Sequence, residues 1–256
     1  MSAPRYYPEF AKFAELADGV DLVPVYRRLV SDSLTPVSAF HKLDAGRCAC
    51  LAESVTGGEK VGRYSFLATH PFLEVEAWDR RVIVNSYTGV SASGAPLLET
   101  RQYVCQNPIE ELRKRVESLR VRMLPELPPF CGGAVGYVGY DVVRYYERLP
   151  NVPPDDRNIP DLSFGFYDRM VIFDNVTKAL IVVALAHVRH PGWSLADAYD
   201  DACRRIDEIV DRLRNTPADL EPFDIPIEGE PTLKYRSNFT QEQFEEAVRK
   251  CIRYIE

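Results

Sequence analysis

Three short runs hold the residues best suited to chemistry: Leu51-Ala52-Glu53-Ser54, then Gly57-Gly58, then Gly62-Arg63-Tyr64-Ser65. A carboxylate and a hydroxyl end one apolar run, the glycines allow a reversal, and an arginine opens the next run. Two readings of Glu53 and Arg63 stay open on spacing alone. In one they meet across a hairpin as a surface ion pair, contributing about 0–1 kcal/mol. In the other they clamp a free amino acid, the carboxylate taking its ammonium and the planar guanidinium its carboxylate.

The remaining reactive side chains are poorly arranged for catalysis. The four histidines, His41, His70, His187 and His190, have no metal or triad spacing and read as structural or surface residues. The six cysteines, Cys48, Cys50, Cys105, Cys131, Cys203 and Cys251, are scattered. Their one close pair, Cys48-x-Cys50, would share a strand face, but no second pair stands at zinc-site spacing. Reduced, buried thiols of a cytoplasmic protein are the expectation. The glycine-rich run from Gly132 to Gly139 lacks both the G-x-G-x-x-G order and the Walker ending. Its glycines at 133, 136 and 139 suit close backbone packing beneath a neighbouring element.

The elements that must position these residues come from an ordinary globular chain. It has 256 residues, 46% hydrophobic and 27% charged. Its 31 basic against 38 acidic residues leave a charge of −7, which argues against a general nucleic-acid binder. No apolar run marks the first ten residues as a secretory signal. The longest apolar stretch, Ala179 to Val188, is about ten residues, half of what a membrane span needs.

Periodicity predicts a helix over Pro8 to Leu16, a second short amphipathic stretch over Val23 to Val30, and a turn at Asp32-Ser33. Strands are expected over Pro36 to Leu43, Arg47 to Ser54, Arg63 to Ala68, Phe72 to Trp78 and Arg81 to Ser86. Turns at Asp44-Ala45-Gly46 and Thr56-Gly57-Gly58 separate them. Pro108 to Leu119 reads as a helix capped by Asn107, and Leu195 to Leu213 as one capped by Ser194. Between them lie a proline-rich loop, Pro150 to Pro160, and two long strands, Leu162 to Asn175 and Ala179 to Val188. Thr216 to Pro231 is an acidic linker. A last helix opens with a Thr240/Gln243 capping box and carries the stripe Phe244, Val248, Cys251, Ile252 and Ile255. That stripe has nothing after it to pack on, so a further half is expected beyond residue 256.

The order of several longer runs resembles the anthranilate synthase component I family. They are Leu34-Thr35-Pro36-Val37-Ser38-Ala39-Phe40, Glu53-Ser54-Val55, Gly57-Gly58-Glu59, Gly62-Arg63-Tyr64-Ser65-Phe66, Gly132 to Glu147, and Ser237 to Glu256. The resemblance implies an α/β (α+β) fold, two sheets packed as a β-sandwich with outer helices. It divides the chain into a regulatory domain (1–220), a linker (221–236) and the start of a chorismate-binding domain (237–256). It implies an enzyme making anthranilate and pyruvate from chorismate, with ammonia delivered by a glutamine amidotransferase partner. Mg²⁺ is required, its ligands and all catalytic residues lying beyond residue 256. It also implies feedback inhibition by L-tryptophan bound at Ser54, with Glu53 next and Arg63 third.

Leu51-Ala52-Glu53-Ser54 departs from the family's Leu-Leu-Glu-Ser at Ala52, which thins the apolar wall. The family completes this pocket with a proline-rich strand from the other half, so these residues form an open half-site. Two alternatives remain: the aminodeoxychorismate synthase component I relative, and an amino-acid-binding module without catalysis.

Overall fold

The computed structural model describes residues 5–30, 32–44, 48–53, 62–90, 96–218, 220–222, 224 and 234–256. The chain divides into two compact units, Met1–Asp219 and Leu220–Glu256. The first unit opens with α1 (Phe10–Leu16), β1 (Leu22–Val30), α2 (Pro36–Leu43), β2 (Cys50–Ala52) and β3 (Tyr64–Ala68). There follow β4 (Leu73–Trp78), β5 (Arg81–Val90), β6 (Pro96–Val104), α3 (Pro108–Glu117) and β7 (Gly133–Val138). A 3-10 helix (Tyr140–Tyr145), β8 (Leu162–Tyr167), β9 (Arg169–Asp174), β10 (Ala179–His187) and α4 (Leu195–Asn215) complete it.

Two antiparallel sheets result, one ordered β1-β10-β9-β3-β2 and the other β6-β5-β4-β8-β7. This is the mixed α/β architecture of two sheets and helices that the resemblance implies. On the first sheet, Val23, Val25, Val182 and Ala184 face a core closed by Phe13 of α1, Ala39 of α2 and Ala202, Ile206 and Val210 of α4. The opposite face, with Tyr26, Ile172, Ile181 and Val183, packs on Leu124, Leu127 and Cys131. Strands covered on both faces need continuous apolar sequence, which Ala179 to Ala186 supplies. On the second sheet Val75, Ala77, Val82 and Phe166 form a separate core against Ile109 and Leu112 of α3. Val75 and Ala77 are buried while Glu74 and Glu76, which alternate with them, are only half-buried, the alternation of a half-wet strand.

Several expectations need correction. Pro36 to Leu43 is a helix, not a strand: Thr35 accepts from the Ser38 backbone, Ser38 answers to the Thr35 N–H, and Pro36 occupies the first turn. Val23 to Val30 lies in β1, whose first six residues are buried on both faces rather than amphipathic. The long strand over Leu162 to Asn175 is two, because the chain leaves one sheet at Tyr167 and enters the other at Arg169, with Asp168 at the corner. β6 is a strand with no counterpart in the sequence pattern; it forms an edge whose Leu97, Leu98 and Val104 are exposed.

The caps of α3 and α4 are as expected. Asn107 accepts from Ile109, and Ser194 with Asp197 forms a capping box. The expected turns at 45–46 and 56–58, Arg47, Ser54 and most of the linker over 225–231 fall outside the described residues. In the second unit, α5 (Gln241–Ile255) has the expected Thr240/Gln243 capping box and no buried residue.

Gly136 shows why the 132–139 run is rich in glycine. β7 and β8 pair so closely there that a Cβ would stand 2.0 Å from the Ser163 carbonyl oxygen and 2.6 Å from Phe164 Cα. Packing, rather than a phosphate cradle, accounts for it.

Candidate functional site

The β2–β3 ladder pairs Cys50 with Ala68 and Ala52 with Phe66. Glu53, just past β2, and Arg63, just before β3, therefore sit at the same end of the hairpin. Glu53 is exposed, and Ser54 lies outside the described residues.

Arg63 engages the chain's own carboxylate. Its Nε and Nη2 donate to Asp174 Oδ1 and Oδ2 at 3.2 and 2.8 Å, a bidentate pair. Its guanidinium also lies 4.9 Å from the Tyr64 ring centroid. Asp174 Oδ1 in turn accepts from the backbone N–H groups of Val176 and Thr177, forming the turn between β9 and β10. Asn175 seals the junction, its N–H donating to the Arg63 carbonyl at 2.8 Å and its side chain to Gly62 O and Ser65 Oγ. Burial pushes the Asp174 carboxyl up, but Arg63 and the turn N–H groups outweigh it and hold it down at about 2. A ligand carboxylate at Arg63 would share the guanidinium with Asp174. Asp174 and Asn175 were legible only as turn residues; nothing in their spacing announces the pairing.

A second charged cluster sits at the corner between the sheets. Asp168 Oδ2 is 3.0 Å from His187 Nε2 and 2.8 Å from Arg205 Nη1. Arg205, buried on α4, also donates to the Leu185 carbonyl and to Asp201, at 2.8 Å each. Asp168 Oδ1 faces Arg169 Nε at 3.7 Å, and neither atom has a hydrogen bond among the described residues. Burial raises the Asp168 carboxyl, and Arg205, His187 and Arg169 together bring it down to about 2. Among the described residues no nucleophile joins this group. Its chemistry is a tie between α4 and the sheet corner. The signal for it was the charged pair Asp168-Arg169 inside a largely apolar run.

The cysteines are free. Of the six, Cys131 is buried and Cys48 and Cys251 are exposed, a correction to uniformly buried thiols. Burial pushes Cys131 and Cys203 up to about 11 and raises Cys50, so these thiols are poor nucleophiles. Cys48 Sγ is 3.2 Å from the Tyr167 hydroxyl, which donates to the Cys48 carbonyl. Among the described residues no three His, Cys, Asp or Glu side chains gather as a metal site requires. Nor is any helix there long and apolar enough to cross a membrane.

Comparisons with known proteins extend over nearly the whole chain. It is 32% identical over 253 residues to anthranilate synthase component 1 of Acetivibrio thermocellus, covering 98% of this chain and 48% of that protein. It is 35% identical over 255 residues to the protein of the same name from Synechocystis sp., covering 97% and 48%. The chain thus spans about half the length of the curated relatives it matches. A crystal structure of anthranilate synthase component I from Streptococcus pneumoniae shares the fold, with a TM-score of 0.52 and 24% identity over 88% of this chain and 45% of that one. The family model of the chorismate binding enzymes matches residues 49–256, and the chain belongs to that family.

Proposed function

We propose that this chain is one half of an anthranilate synthase component I, and that the longer protein converts chorismate and ammonia to anthranilate and pyruvate. The observation that carries this reading is the match of almost the whole chain to relatives of that name at 32–35% identity. In this reading a glutamine amidotransferase subunit supplies the ammonia and the protein works in the cytoplasm, which suits its six free cysteines. Magnesium belongs to this reading as well, its ligands expected in the part of the longer protein that this chain does not cover.

The contribution of this half is control. L-tryptophan is assigned to Ser54, Glu53 and Arg63, of which Glu53 and Arg63 stand at one end of the hairpin. An effector inhibits only by binding one arrangement of the protein better than another. The Arg63–Asp174 pair ties this hairpin end to β9, and β9 continues through Asp168 into β8 of the second sheet. A displacement at the hairpin would therefore bear on both sheets.

Product identification tests the reading. The protein carrying this chain is incubated with chorismate, ammonium and magnesium. Anthranilate is the expected product. Formation of 4-amino-4-deoxychorismate would move the protein to the aminobenzoate-forming relatives, and unconsumed chorismate would contradict the assignment.

A further inference from the structure

The second sheet ends at an open strand. β6 pairs with β5 on one side, and among the described residues no strand lies on its other side. Just past its end the Cys105 N–H donates to the Arg80 carbonyl at 2.9 Å, so Cys105 faces β5. Backbone groups alternate sides along an antiparallel strand, so Leu98, Thr100, Gln102 and Val104 turn their N–H and C=O groups away from β5. A free row of this kind is a template for a further strand. From Leu97 to Val104 every side chain except Tyr103 is exposed.

Charges of one sign on an edge keep copies apart, but β6 carries one of each. Glu99 and Arg101 flank Thr100, both largely exposed and paired with one another at 2.7 Å. Two copies meeting antiparallel at this edge are related by a two-fold axis, so any facing pair of residues occurs twice. An axis at Glu99 would set glutamate against glutamate, and one at Arg101 arginine against arginine, both unfavourable. An axis at Thr100 sets Glu99 opposite Arg101 in both directions, at the closely spaced positions where side chains interact most. Thr100 is also the midpoint of β6 (Pro96–Val104), so this register uses the whole strand. Leu97 then faces Tyr103, and Leu98 faces Gln102.

We propose that β6 is a contact between two copies of this chain, joining their five-stranded second sheets into one continuous antiparallel sheet about an axis at Thr100. The outward N–H and C=O groups of each β6 find partners on the other. The two Glu99 and two Arg101 side chains form a square of alternating charge, each carboxylate facing a guanidinium along its own strand and another across the axis.

The test is sedimentation velocity of the protein carrying this chain over a concentration series, with Glu99→Arg, Arg101→Glu and an equimolar mixture of the two variants. The unaltered protein is expected to pass from one copy to two as concentration rises. Each variant sets like charges in opposition, and its dissociation constant is expected to rise about tenfold or more. In the mixture one copy presents two arginines and the other two glutamates, so the dimer is expected to return. Both variants lose the ion pair within the strand and mixing does not restore it, so recovery reports the contact between copies. Thr100→Pro removes an outward N–H while sparing the ladder to β5, and is expected to weaken the dimer as well. Variants that associate like the unaltered protein, or a mixture that stays apart where the unaltered protein dimerises, would overturn the proposal. So would a protein that remains a single copy throughout; slow hydrogen exchange along β6 in that case would show that a strand of the longer protein covers this edge instead.

Discussion

Arg63 and Asp174 meet through two hydrogen bonds, Nε to Oδ1 at 3.2 Å and Nη2 to Oδ2 at 2.8 Å, where the β2–β3 hairpin abuts the β9–β10 turn. The pair joins an exposed partner to a buried one: the Arg63 side chain is 41% exposed and that of Asp174 only 6%. Arg63 thus holds a turn in place whatever else it binds. Replacing it leaves the buried Asp174 with only the donors of its own turn, from Val176 and Thr177. Arg63→Ala is expected to destabilise the protein by about 1 kcal/mol, the low end for loss of a charged hydrogen-bond partner, since much of the pair is solvated. Urea unfolding measures this, and an unchanged midpoint would show the pair to be incidental.

Asp168 is the more demanding site. It and Arg205 are both nearly fully buried, and removing Asp168 takes from the buried guanidinium its buried carboxylate, leaving it the partly exposed Asp201. Asp168→Asn is expected to cost about 3–5 kcal/mol. An Asp168→Asn/Arg205→Met double variant should lose less than the two single losses combined, because the buried guanidinium goes together with its buried carboxylate. Chemical denaturation of the three variants measures both effects.

Acid should weaken the protein through these carboxylates. Asp21, Asp168 and Asp174 are each held down at about 2 from an ordinary 3.8. The leading cause at Asp21 is its hydrogen bond from Arg120. A carboxylate depressed in the folded state binds its proton more readily once unfolded. Its stabilisation is therefore complete above the ordinary value and is lost as pH falls toward the folded one. The melting temperature should hold through mildly acidic pH and fall between about pH 5 and pH 2, with a shallower fall in Asp174→Asn.

Gly136 tests the packing reading of the glycine-rich run. A methyl group there collides with backbone rather than with a movable side chain, so Gly136→Ala is expected to destabilise by about 1–3 kcal/mol or more. Wild-type stability in that variant would reopen the run to a ligand-binding role.

What was legible in the sequence follows local physics. The caps at Asn107, Ser194 and Thr240 were readable because each is a side chain answering its own helix's orphan N–H groups. Thr35-Pro36-x-Ser38 carried the same signal, yet the apolar residues of Pro36 to Leu43 also fit a strand, and the cap decides between them. The corner at Asp168 and the edge strand β6 depend on partners far along the chain, and no local period reports those. The candidate site divides the same way. Glu53 and Arg63 were readable from spacing, while Asp174 and Asn175 come to that end of the sheet only through the β3–β9 and β9–β10 pairings.

The most direct test of the account is inhibition of anthranilate formation by L-tryptophan in the protein carrying this chain, compared with its Ser54→Phe variant. The account predicts that the unaltered protein is inhibited, whereas Ser54→Phe turns over at a near-normal rate and ignores tryptophan. A Ser54→Phe protein that remains fully inhibited would contradict it.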